Sequence, residues 1–221
     1  MEIKTALYRL MKGACAFAMA SAAQAATLNI DIRNESGDSF ATEQVIVSLH
    51  SNQALASSKA SKRVHRIEQT GSQFKPFISA VQKGSSIKFP NRDRFAHHVY
   101  SFSEPAKFQS ELYSQQESHE IEVAKTGVIV VGCNIHDWML AYVYVVDTPH
   151  FGQALNKQVT FEQVEPGAYT LSYWHPAMPG PMTSALEVVD DAPQRIPLTI
   201  NVKRIEQLAA PSHSFHEDED Y

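Results

Sequence analysis

The chain reads as an all-β protein, a sandwich or barrel, on three observations. Apolar and polar residues alternate with a period of two in several short stretches, continuous runs rich in Val, Ile and Tyr are bounded by turn residues, and no segment carries helical periodicity over a useful length. Leu28, Ile30 and Ile32 alternate with polar neighbours, as do Val45, Val47 and Leu49. This predicts two strands joined by a loop that includes Asn34-Glu35-Ser36-Gly37-Asp38. Residues 51–61 are rich in Ser and Ala with little patterning, so a short helix and a linker both fit. Strand signals return at Val64 and continue through Phe74-Lys75-Pro76-Phe77-Ile78, through Ile87-Lys88-Phe89-Pro90 after Gly84, and through His98-Val99-Tyr100-Ser101-Phe102. Residues 103–117 form a longer polar excursion. Ile121-Glu122-Val123 alternates, Lys125-Thr126-Gly127 turns, and Val128-Ile129-Val130-Val131 reads as a buried strand that delivers Cys133 at its end. Residues 139–146 read as another strand, and residues 158–174 as strand, Pro166-Gly167 turn and strand.

The first 25 residues carry Lys4, Arg9 and Lys12, then a small and apolar run, then Ala23-Gln24-Ala25. That is the pattern of a secretory signal peptide cleaved before Ala26. The apolar run is too short to span a bilayer and no other segment has the roughly 18 apolar residues needed, so membrane insertion is not expected and the mature chain is placed in the periplasm or outside the cell. It would hold 196 residues, with 16 Lys and Arg against 23 Asp and Glu, a formal charge of −7. A nucleic-acid partner is disfavoured, because phosphate binding needs a basic face. Much of the acidity lies in Glu217, Asp218, Glu219 and Asp220, and residues 205–221 read as a solvated, disordered tail.

Removing the leader also removes Cys15 and leaves Cys133 as the only cysteine. A lone cysteine in an oxidising compartment is an intermolecular bridge, a reactive thiol or a metal ligand, unless it is simply a small buried hydrophobe. Here it opens Cys133-Asn134-Ile135-His136-Asp137-Trp138-Met139. One short loop thus offers a thiolate, an imidazole and a thioether, and His97-His98 in Phe95-Ala96-His97-His98-Val99-Tyr100 supplies a further imidazole. Two histidines, one cysteine and one methionine are the donor set of a blue-copper centre.

From about Val64 to Thr148 the chain resembles the cupredoxins. The likeness lies in a Phe-x-Pro strand, in Gly84, Ile87, Phe89 and Asn91 spaced as Gly-x-x-Ile-x-Phe-x-Asn, in a strand opening with a histidine, and in a final hairpin carrying Cys-x-x-His-x-x-Met. That short loop resembles amicyanin more than plastocyanin or azurin. The Cys-Asn-Ile-His-Asp and His-His-Val-Tyr-Ser-Phe runs resemble periplasmic plastocyanin-like proteins labelled as methylamine utilization proteins. The resemblance implies a Greek-key β-sandwich holding one type 1 copper per chain, with Cys133 as thiolate, His97 and His136 as imidazoles, and Met139 as weak axial sulfur. His97 is preferred to His98 because the family pattern reads aromatic-x-His-x-Val and strand alternation turns His98 away. The family often has Asn at the position of His98, where the backbone amide bonds the thiolate. That backbone role survives the change, while the His98 side chain reads as exposed or at the core edge. Trp138 is either a docking anchor beside His136 or a ring folded over the copper; Asn134, with His98 and Trp138, is expected to support the ligands or dock a partner, and Asp137 either orients a neighbour or is solvated.

Residues 27–50 and 158–174 resemble the opening and end of a carboxypeptidase regulatory-like, transthyretin-like sandwich. The expected organisation is a copper domain over 64–148 inserted into a small second sandwich built from 27–55 and 152–204; one cupredoxin with extra terminal strands is the alternative. His175 reads as a structural histidine at a strand end. The function expected is single-electron transfer between protein partners, a dehydrogenase or similar donor and a cytochrome or oxidase acceptor, and not catalysis. Two other classes stay open: a copper chaperone or sequestering protein using the same ligands, and a non-catalytic sandwich that binds protein or glycan.

Overall fold

A computed structural model describes residues 25–35, 42–53, 63–189 and 192–202. The signal-peptide reading (apart from Ala25), most of the 51–61 stretch and the 205–221 tail lie outside the described residues. Within them the chain is all-β, and the one helical turn is a 3-10 turn at Thr42–Gln44. The strands are β1 (Ala26–Asn34), β2 (Ile46–Ser51), β3 (Val64–Arg66), β4 (Glu68–Gln69), β5 (Phe74–Lys75), β6 (Ile78–Gln82), β7 (Ser86–Pro90), β8 (Val99–Ser101) and β9 (Phe108–Gln109). They continue with β10 (Ser118–Glu122), β11 (Gly127–Cys133), β12 (Leu140–Val146), β13 (His150–Gln153), β14 (Gln158–Val164), β15 (Gly167–Trp174), β16 (Met182–Val188) and β17 (Gln194–Ile200).

Two sandwiches result, each around its own core. In one, the sheet β10-β7-β3 faces the sheet β6-β12-β11-β8-β9 across Ile67, Phe89, Val99, Ile129, Val131 and Cys133. Its neighbours are largely non-consecutive, with β3 parallel to β7 and β6 parallel to β12, so the connections cross between sheets in Greek-key fashion. In the other, β14-β1-β17 faces β13-β2-β15-β16, and the core joins Leu28, Ile30, Val47 and Leu49 to Phe161, Leu171, Trp174 and Ile200. The two ends of the chain meet there directly: β1 runs parallel to β17, with Ile30 opposite Ile196.

β12 belongs to both interiors. Ala141, Val143 and Val145 enter the first core, while Tyr144 and Val146 enter the second with Tyr142 packed against it. A strand covered on both faces needs apolar residues at successive positions, and the unbroken run Leu140–Val146 supplies them. A polar seam runs beside it. The Tyr144 and Ser172 hydroxyls meet at 2.8 Å, and His50 Nδ1 lies 3.0 Å from the Asp147 carboxylate.

Several expectations are corrected. β11 is not buried throughout: Ile129, Val131 and Cys133 point inward and Val128 packs against the second core, whereas Val130, two residues further along that outer face, is 40% exposed. The 103–117 excursion contains β9 and a bridge between His97 and Tyr113. Strands also continue past Trp174 as β16 and β17, of which only β17 alternates. β16 is almost wholly exposed and so carries no buried stripe, and β17 tolerates Pro197 because it lies at a sheet edge.

Candidate metal centre

Cys133 is placed by the strand that ends on it. In the β11–β8 ladder Cys133 pairs with Val99 and Gly132 with Tyr100, which leaves the thiol pointing into the core at 3% exposure. His97 reaches the same end of the sandwich from the other side. Its backbone exchanges hydrogen bonds with Tyr113, the His97 N–H to Tyr113 O at 3.1 Å and the Tyr113 N–H to His97 O at 3.0 Å. The loop after β11 brings His136 back over Cys133 and closes with the Met139 N–H on His136 O at 3.0 Å.

The result is a compact donor set. Cys133 Sγ lies 3.6 Å from His97 Nδ1 and 3.9 Å from His136 Nδ1, and the three donor atoms all lie within 4.8 Å of one another. Met139, 2% exposed, is buried in the same core cluster as Cys133. No second group of three such donors occurs among the described residues.

Behind the donors stands a set of hydrogen bonds that fixes them. His97 is fully buried, and its Nε2–H donates to Asp93 Oδ2 at 2.8 Å, so that Nδ1 is the nitrogen left to face the sulfur. The Asp93 carboxylate is itself held by the N–H groups of Gly71 (2.6 Å) and Ser72 (3.1 Å). Asn91 pins the connecting loop: its side chain donates to Phe95 O at 2.8 Å and Tyr113 O at 3.2 Å, and accepts the Asp93 N–H at 2.8 Å. Phe95 covers both imidazoles, with ring centroids 5.2 Å from His97 and 5.3 Å from His136.

These contacts set the charge at the site. Burial pushes the Cys133 thiol up, but hydrogen bonds from His97, from the backbone N–H groups of His98 and Ile135, and from His136 outweigh it and bring the thiol down to about 6 from 9.0. Burial pulls His97 down, and its bonds to Cys133 and Asp93 reverse that and raise it above 6.5. The fold therefore favours the thiolate, the form of sulfur a soft metal takes, and a metal binding there would displace the proton that His97 shares with the sulfur.

Of the residues singled out in the sequence, His97, Cys133 and His136 come together and His98 does not join them. Its ring turns to Gln109, whose Nε2 donates to His98 Nε2 at 3.0 Å, while its backbone N–H serves the sulfur. Asn134 is exposed, its N–H on His98 O at 3.0 Å. Trp138 is folded inward, half-buried, with its indole N–H on Ser72 O at 3.2 Å and its ring 5.2 Å from His136. Asp93, Phe95 and the Gly71–Ser72 turn were not singled out. An acidic residue four positions before a candidate ligand histidine was the available signal for Asp93; the turn, 21 residues earlier than its partner, carried none.

No protein-family model and no curated protein matches the sequence. Solved structures give local likenesses. A copper-containing nitrite reductase from Thermus scotoductus SA-01 is 22% identical over 37% of this chain, with a TM-score of 0.36, and the match spans 22% of that protein's length. A purple cupredoxin from Nitrosopumilus maritimus is 21% identical over 37% of this chain and 99% of its own, with a TM-score of 0.34. A reduced amicyanin variant is 14% identical over 45% of this chain and 98% of its own, with a TM-score of 0.36.

Proposed function

We propose that this chain is an exported blue-copper protein of the cupredoxin class that carries single electrons between protein partners. The observation that carries the reading is the convergence of Cys133 Sγ, His97 Nδ1 and His136 Nδ1 within 4.8 Å at one end of a β-sandwich, with Met139 buried in the same core. The donors suit one type 1 copper in chemistry as well as in place: two imidazoles, a thiolate formed by pH 7, and a thioether. Copper held this way supplies a one-electron couple. His97, fixed by Asp93, and Cys133, fixed by two backbone N–H groups, have little freedom to rearrange, which keeps the reorganisation accompanying electron transfer small. His136 is the more exposed imidazole, with Phe95 and Ile135 about 50% exposed near it, so electrons would enter and leave there. A redox protein as donor and another as acceptor follow from that role, and the placement in the periplasm or outside the cell rests on the leader sequence.

The organisation inferred is a copper unit over 64–148 inserted between the two halves of a second sandwich, 27–55 and 152–204. The meeting of β1 with β17 and of β2 with β15 supports it.

The deciding experiment is a Cu(II) titration of the mature protein followed by visible absorption and electron paramagnetic resonance, with Cys133→Ser as control. An intense thiolate-to-copper band that is lost in the variant and bleaches reversibly on reduction is expected. Stoichiometric Cu(I) binding without such a band would move the function to copper handling. A protein that binds no copper would be left as a binding sandwich.

A further inference from the structure

The turn between β4 and β5 is built from two residues in left-handed backbone, Gly71 (φ 61°) and Ser72 (φ 53°). Positive φ at both central positions is the mark of a type I′ hairpin turn, which glycine adopts readily and serine seldom. Ser72 is held there although its side chain gains nothing visible: the residue is 1% exposed and its hydroxyl makes no hydrogen bond. Its backbone is engaged on both sides. The Ser72 N–H, with that of Gly71, grips the Asp93 carboxylate, and the Ser72 carbonyl accepts the Trp138 indole N–H. Asp93 holds His97 through Nε2, and the Trp138 ring lies against His136.

We propose that the Gly71–Ser72 turn is a single positioning element for both imidazoles, with Asp93 as its arm to His97 and Trp138 as its arm to His136. The inference rests on the reading that these two histidines hold the copper. A rare conformation kept at a buried serine fits a site where backbone geometry is what matters. One rigid peptide then sets the position of His97 and His136 relative to each other, and so the bite presented to the metal. Asp93 adds a charge: a buried carboxylate bonded to a ligand imidazole raises that ligand's basicity, which favours Cu(II) over Cu(I).

Four variants test this. Gly71→Val opens the turn without touching either histidine, because a Cβ there meets nothing within 4 Å and only the left-handed backbone resists it. Asp93→Asn removes the charge of one arm, Trp138→Phe removes the N–H of the other while keeping a ring, and Ser72→Gly keeps every backbone contact. In the metal-free protein, nitrogen-15 spectra of the imidazoles should show a protected His97 Nε2–H in the wild type and in Ser72→Gly. Gly71→Val should shift the ring signals of both histidines. With copper bound, Asp93→Asn should raise the midpoint potential, Gly71→Val and Trp138→Phe should change the copper hyperfine splitting, and the Asp93→Asn/Trp138→Phe pair should change the potential by less than the two singles added. Unmoved imidazole signals in a folded Gly71→Val protein, or strictly additive shifts from the two arms, would overturn the proposal. If the wild type gives no thiolate-to-copper band, the copper reading fails by itself, and the metal-free spectra still decide whether the turn governs both rings.

Discussion

Cys133 Sγ and His97 Nδ1 stand 3.6 Å apart across 36 residues of chain, and the far nitrogen of the same ring is bonded to Asp93. The imidazole is therefore gripped between a thiol and a carboxylate before any metal arrives. Cys133 titrates near 6 where 9.0 is ordinary. A pKa lowered on folding stabilises the fold in full above pH 9 and ceases to do so as pH falls through about 6. His97 moves the other way, so its share is complete below 6.5 and is lost as pH rises through its raised value. The ultraviolet absorbance of the thiolate in metal-free protein should rise with a midpoint near pH 6 and be missing from Cys133→Ser. A midpoint close to 9 would show that the hydrogen bonds to sulfur do not hold in solution.

Met139→Leu separates packing from ligation. The swap keeps volume in a 2% exposed position and should cost less than about 1.5 kcal/mol in the metal-free protein. The thiolate-to-copper band should persist, because the thiolate and the two imidazoles remain. The midpoint potential should rise, because the sulfur proposed as the axial ligand, which would help stabilise Cu(II), is removed. An unchanged potential would place Met139 in the core and nothing more.

Much of this centre could be read from the chain alone, and the reason is local spacing. Cys133, His136 and Met139 sit on one loop whose length sets what can converge, and the period of two around Val99 separates His97 from His98. The parts that escaped notice act through backbone atoms or over long separations. Gly71 and Ser72 contribute N–H groups that any residue possesses, so their identities reveal only the turn. Asp93 looks like one of many surface acids until the fold buries it at 8% exposure. In the same way β16 was missed because exposure leaves it without an apolar stripe, whereas β12 was found because burial on both faces demands one.

Gly132 is fixed by its neighbour across the ladder. A Cβ built there would lie 2.8 Å from the Tyr100 ring, inside any real contact. Gly132→Ala should push that ring aside and destabilise by about 1–3 kcal/mol, with a visible effect on the copper spectrum because the next residue is Cys133. Adding Tyr100→Ser should recover most of the loss. A denaturation series on the two singles and the double decides it, and no recovery in the double would mean that something other than the ring requires glycine.

Val145 and Val146 are adjacent but belong to different interiors. Truncating either to Ala should cost about 2 kcal/mol by leaving a cavity. Only Val145→Ala, in the core that contains Cys133, should also perturb the copper spectrum. Equal spectral changes in the two variants would show that the faces of β12 are not mechanically separate.

The sharing of β12 also bears on how such a protein can be taken apart or recombined. A segment that spans 64–148 looks in sequence like a cassette ready for transplantation into another host. Cut out, it would carry Tyr142, Tyr144 and Val146 on a naked flank, without the Trp174 ring that rests 5.6 Å from Tyr142 and 6.1 Å from Tyr144. A transplant would need either a new lid over that flank or polar replacements along every second position of the strand. The part that carries the candidate metal centre is contiguous in the sequence and yet not portable.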